Sequence, residues 1–151
     1  MKTSEAKIGR IFVVRLEDGD RLPQAIESWA EEKGLDRGIC FLIGGIRGGG
    51  KVVAGPEEPD LSPVIPLVHS LSGVHEILGI GTIFPGEDGR PALHMHASLG
   101  RNGESRTGCI RPGIDTWKVG ELLVLELTWN QASRQKDTAT GFELLELPRT
   151  K

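Results

Sequence analysis

The chain has only two cysteines, no excess of positive charge and no apolar run long enough to cross a bilayer. Its longer apolar stretches, such as residues 39–43 and 122–125, fall far short of the roughly 20 residues a membrane helix needs. A disulfide framework is not expected from Cys40 and Cys109. Residues 1–7 are polar and lack the apolar core of an export signal, so a reducing, cytoplasmic setting is expected. With 18 basic and 21 acidic residues the net charge is −3, which provides no global field for nucleic acid. Tight, direct DNA binding by this chain alone is therefore not expected. No internal repeat or composition break divides the sequence, and residues 1–151 read as a single domain.

What the sequence does have is an ordinary globular balance, 38% apolar and 26% charged, over 151 residues, enough for a core of its own. Residues 7–16 form a nearly all-apolar run suited to a central strand. One helix follows. Leu22, Ala25, Ile26, Trp29 and Ala30 recur at helical spacing, with Asp20 as candidate N-cap, Pro23 in the first turn and Gly34 as terminator. The rest reads as strands at 39–46, 64–70, 76–84, 92–99, 105–110, 121–129 and 141–147. The segment from Gly44 to Gly50, followed by Gly55-Pro56-Glu57-Glu58-Pro59, reads as a mobile loop. The expected class is α+β, a mixed and largely antiparallel sheet with one main helix.

Chemistry concentrates in Leu93-His94-Met95-His96-Ala97. The period of two puts both imidazoles on one face of a strand, roughly 6–7 Å apart along it, a gap that a metal with bonds of about 2 Å can bridge. The turn that follows, Arg101-Asn102-Gly103-Glu104, carries the Asn-Gly pair of a type I′ hairpin. If Arg101 pairs with Glu104, Leu99 faces Arg106, Ala97 faces Gly108 and His96 faces Cys109. Opposed side chains project to the same side with Cβ atoms about 4.5–5.5 Å apart, so turn chemistry gathers His94, His96 and Cys109. Two imidazoles and a thiolate suit zinc and leave a coordination position for water or another residue. A hydrogen-bonded or exposed histidine pair is the alternative, and a one-residue slip would send Cys109 to the other face.

Other segments carry less. His69 and His75 read as structural or exposed residues, and Cys40, within Ile39-Cys40-Phe41-Leu42-Ile43, as a small buried one. Glu76 is a candidate general base, though a strand-end carboxylate is the plainer reading. The glycine-rich stretch from Gly44 to Lys51 fits neither the P-loop nor the dinucleotide spacing. Gly89-Arg90-Pro91 has the centre of an AT-hook, but Asp88 stands where an arginine is needed, so it reads as a turn.

In their order and spacing these segments resemble the plants-and-prokaryotes-conserved (PPC) domain family over nearly the whole chain. The resemblance rests on Val13-Val14-Arg15-Leu16, Asp18-Gly19-Asp20, Gly44-Gly45-Ile46 and His75-Glu76-Ile77-Leu78 with Gly81. It continues through Leu93-His94-Met95-His96, Thr107-Gly108-Cys109-Ile110, Arg134, Asp137 and Gly141-Phe142-Glu143-Leu144. It implies assembly into homotrimers and metal binding through the His-x-His strand plus a histidine in a Gly-Gly-His-Leu segment. Here Cys109 takes that histidine's place. Members of the family are often labelled DNA-binding because plant relatives carry AT-hooks outside this domain. Three functions follow as expectations: a trimeric metal-binding protein, regulatory through protein contacts; a metal-dependent enzyme with a metal-activated water and Glu76 as base; and a DNA-associated transcriptional regulator.

Overall fold

The computed structural model describes residues 1–58, 63–138 and 140–148. Eight strands form one continuous path. In chain order these are β1 (Lys7–Glu17), β3 (Gly38–Ile46), β4 (Lys51–Pro56), β5 (Pro66–Ser70), β6 (His75–Pro85), β7 (Pro91–Arg101), β8 (Glu104–Cys109) and β9 (Ile114–Thr128). Their order across the sheet is β1-β9-β3-β6-β7-β8-β4-β5, and β2 (Arg21–Leu22) adds to β9. A separate ribbon joins β10 (Ser133–Lys136) to β11 (Glu143–Glu146). Among the described residues all pairings are antiparallel and α1 (Gln24–Glu32) is the one α-helix. The expected α+β class, a largely antiparallel sheet with one main helix, is what the chain adopts, and the parallel pairs that would make the sheet mixed do not occur among the described residues.

The helix covers one face only. Ile26 and Ala30 of α1 pack with Leu22 and Leu35 over Leu16, Cys40, Leu42, Met95, Leu122 and Val124, all buried. Gly34 ends the helix as expected, its N–H donating to the Glu31 carbonyl and that of Leu35 to the Ala30 carbonyl, the paired bonds of a Schellman motif. Asp20 is not the N-cap. Pro23 holds that position without a side-chain cap, because β2 intervenes and Asp20 instead accepts from the Glu17 N–H at 2.8 Å, closing the turn after β1.

The opposite face is largely bare in the single chain, apart from the end near Thr82 where Arg134 of β10 reaches it. Val13 is 85% exposed, Leu78 67%, Ile11 62%, Ile80 58% and Ile43 50%. Their Cα partners place them in register across β1, β3 and β6, with Leu123 of β9 between Val13 and Phe41. Strand β1 is therefore an edge strand, not the central one its run of apolar residues suggests. Such a run suits apolar surroundings on both faces, and here the chain itself supplies them on only one.

Three elements lie where no strand is expected from the sequence. β4 occupies residues 51–56, after the glycine-rich run and reaching into the loop expected at 55–59, and its Val52 is fully buried. β2 and β10 are too short, at two and four residues, to show a period. β9 begins seven residues before the expected 121. A bulge with Lys118 at φ 66 bridges its two halves, and the Asp18 carboxylate accepts from the Lys118 N–H at 2.7 Å. Of the expected loop at 55–59, Pro59 lies outside the described residues.

Candidate metal centre

The hairpin register expected from Asn102-Gly103 is the register observed. Asn102 and Gly103 take φ of 51 and 80, and β7 pairs with β8 through Arg101↔Glu104, Leu99↔Arg106, Ala97↔Gly108 and His96↔Cys109. On the other side of β7, Thr82 faces His94 and Ile80 faces His96. The two histidines and Cys109 therefore share the face that the helix leaves bare.

The three donors converge. His94 Nε2 and His96 Nε2 lie 3.2 Å apart, their rings inclined at 75°. With Cys109 Sγ, all donor atoms fall within 4.8 Å of one another. Two nitrogens bound tetrahedrally at about 2.0–2.1 Å would lie roughly 3.3–3.4 Å apart, so the imidazoles already stand at close to the required spacing. A nitrogen and a sulfur on one tetrahedral zinc lie about 3.5 Å apart, so the sulfur would have to move inward by up to about 1.3 Å. His94 and Cys109 are half-buried and His96 is exposed, which leaves one side of the cluster open.

Electrostatics hold one of these groups ready. Burial, and then the positive charges of Arg134, His96 and Arg111, push the His94 imidazole down to about 4 from its usual 6.5. It is thus neutral at physiological pH, the form that binds metal. The contrasting thiol is Cys40, buried on the helix-covered face and pushed up to about 12 by desolvation, the state of a packing residue.

The His94 shift has a measurable consequence for the metal-free protein. Between pH 6.5 and 4 the unfolded chain takes up a proton that folded His94 refuses, so stability falls as pH falls through this window. His94→Gln removes that contribution. Thermal unfolding at pH 7 and pH 4.5 should show a larger loss of Tm in wild type than in His94→Gln. Equal losses would mean that His94 is not held neutral by its surroundings.

Cys109 is placed by its neighbour. β8 pairs with β4 at Val53↔Cys109, and a Cβ on Gly108 would meet the Val53 carbonyl oxygen at 2.5 Å and its carbon at 2.8 Å. Both are backbone atoms, so the strand rather than a side chain would have to move. Gly108→Ala should cost about 1–3 kcal/mol and loosen the strand that carries Cys109. Chemical denaturation should show the lower stability, and an unchanged midpoint would refute the tight approach.

The remaining candidates lie elsewhere. Glu76 faces Gly100, four residues along β6 from Ile80, the partner of His96; at about 3.3 Å per residue that is roughly 13 Å away. It shares the face but stands too far for a direct bond to the centre of the same chain. His75 is buried with Nδ1 3.0 Å from the Gly73 carbonyl, and His69 lies 3.4 Å from Arg106. Arg90, at the centre of the apparent AT-hook, forms an ion pair with Glu31 at 2.8 Å, and Gly89 takes φ 80 in the turn. Among the described residues no helix is long and apolar enough to cross a membrane. Sequence reasoning assigned no role at this centre to Thr82, Arg111 or Arg134. Nothing local marks Thr82 or Arg134, which reach it through strand pairing and a separate ribbon, and Arg111, two residues after Cys109, lies past the end of β8.

The Plants and Prokaryotes Conserved (PCC) domain profile matches residues 3–128. The chain belongs to the PCC-domain family. No curated protein matches it. A metal-containing protein from Archaeoglobus fulgidus is 27% identical with a TM-score of 0.83, the alignment covering 97% of this chain and 99% of that one. A plant- and prokaryote-conserved (PPC) protein from Pyrococcus horikoshii is 25% identical with a TM-score of 0.82, covering 99% and 100%. A candidate DNA-binding protein from Bacteroides thetaiotaomicron is 19% identical at a TM-score of 0.76, covering 95% and 99%, a likeness of fold alone. The family match extends over β1 to β9 and so includes all three donors of this PCC domain; β10 and β11 lie beyond it.

Proposed function

We propose that this PCC-domain protein binds one divalent metal ion per chain, zinc by preference, through His94, His96 and Cys109. The observation that carries the reading is the convergence of the three donor atoms within 4.8 Å on a hairpin of fixed register. Neutral His94 supports it, and so does the metal-containing relative from Archaeoglobus fulgidus. A thiolate with two imidazoles favours zinc over magnesium or calcium, which prefer oxygen ligands. When bound, the metal would supply Lewis acidity at the open side of the cluster.

The active form on this reading is a homotrimer in the cytoplasm, acting by regulation through protein contacts. The bare apolar face supports assembly, since exposed apolar patches of this kind mark interfaces. The two unpaired thiols suit a reducing compartment. Direct DNA binding is not part of the proposal: the net charge is −3, and the AT-hook-like arginine is already paired with Glu31. The test is elemental analysis of protein purified without a histidine tag. About one zinc per chain is expected, and metal-free protein that also fails to take up added zinc would refute the reading.

A further inference from the structure

Among the described residues, two arginines stand beside the donor cluster with no carboxylate in ion-pair contact. Arg134 of β10 is 4% exposed, and its Nη2 donates to Thr82 Oγ1 at 2.9 Å. Thr82 is the cross-strand partner of His94, so the guanidinium lies next to that imidazole on the same face. Arg111 follows Cys109 by two residues and is exposed. The charges of both act on His94 and on each other. Among the described residues, neither lies within 4.0 Å of a carboxylate, whereas eight other ion pairs occur. Arg134 Nε is in addition buried with no hydrogen-bond partner.

Both observations call for an anion. A buried guanidinium is costly unless its donors and its charge are met, and here one donor is orphaned. A divalent metal with one thiolate adds net positive charge to a spot where two arginines already repel it. The planar fork of arginine matches two oxygens of one small oxyanion.

We infer that Arg134 and Arg111 form a binding site for a small oxyanion, a carboxylate or a phosphate, beside the metal held by His94, His96 and Cys109. The inference rests on the metal reading and deepens it: it names the class of ligand that the open side of the centre accepts. Arg134 supplies the buried, fixed donor and Arg111 the exposed, mobile one. Glu143, on β11, bears on Arg134 from the ribbon side without pairing with it.

The experiment uses the full chain loaded with cobalt(II), whose visible spectrum reports ligand entry. Cobalt uptake is measured first in wild type, Arg111→Ser and Arg134→Lys. Inorganic phosphate and acetate are then titrated separately, with chloride at matched ionic strength as reference. Phosphate or acetate should change the wild-type spectrum saturably, and the tighter of the two identifies the preferred class. Both variants should load cobalt and need at least about tenfold more anion. Arg111 is exposed, so its substitution leaves the core intact and keeps the test decisive if Arg134→Lys folds poorly. A wild type that loads cobalt but shows no anion-dependent change overturns this inference alone, as would an acidic residue of a second copy excluding the added anion. Equal response to chloride, or an unchanged response in Arg111→Ser, overturns it too. A wild type that takes up no cobalt overturns the metal reading, and this one with it.

Discussion

On the proposed reading, Cys109→Ser should lower zinc affinity at least about a hundredfold, and Cys109→His should recover most of the loss. Removing a residue that merely orients a ligand already costs 10- to 100-fold, so losing one of three direct donors should reach or exceed that range. Serine keeps the size of the side chain but presents an alcohol, which stays protonated where a thiol yields a thiolate. Histidine restores a nitrogen donor at the position where the family resemblance expects one. His96→Ala should weaken binding comparably while leaving the fold intact. His96 is exposed on the bare face, and alanine does not interrupt the β7–β8 ladder. Competitive chelation across the variants measures the effect. Affinity unchanged in both Cys109→Ser and His96→Ala would remove the proposed centre and leave the histidine pair as a feature of the strand.

Glutamate at both Leu78 and Ile80 should convert the assembly to monomers. In the single chain these residues are 67% and 58% exposed, and they lie in register with Ile43 and Phe41 of β3. Each leucine or isoleucine buried at an interface contributes roughly 1.5–3 kcal/mol, and three copies lose the contribution together. The carboxylates would add desolvation and mutual repulsion on top. Light scattering of wild type at low micromolar concentration should give a mass near three chains, and the double variant a mass near one. A wild type that remains monomeric would refute assembly through this face. Because the substitutions alter only the solvent-facing side of β6, the helix-packed core is untouched and the monomer should stay folded.

The two experiments are linked by geometry. Ile80 is the cross-strand partner of His96, so the apolar face and the donor cluster adjoin across a single strand spacing. Zinc content of the Leu78/Ile80 variant should therefore be measured beside its mass. Retention of zinc in the monomer shows a centre complete within one chain, and loss shows that a second copy contributes to it.

Some of this architecture follows from local chemistry and could be read directly from the sequence. The Asn102-Gly103 turn selects the hairpin type, which sets the register, and the register brings Cys109 opposite His96. The apolar spacing from Leu22 to Ala30 and the stop at Gly34 depend only on neighbours within a few residues. The all-apolar strands announce burial on both faces. They do not announce which face the chain covers itself: β1 reads as central yet lies at the sheet edge with Val13 bare. Which strands adjoin was decided by pairings between distant segments; β2 and β10 are too short to show a period of their own, and the glycines flanking β4 read as a loop. Arg134 illustrates the limit. Its sequence surroundings, Ser133-Arg134-Gln135-Lys136, describe a solvated ribbon, and only the docking of that ribbon against β6 buries the guanidinium and sets it beside His94. Period and turn chemistry are local and so are written in the sequence; strand order, the bare face and the charge around the centre come from long-range packing, which the tertiary structure alone decides.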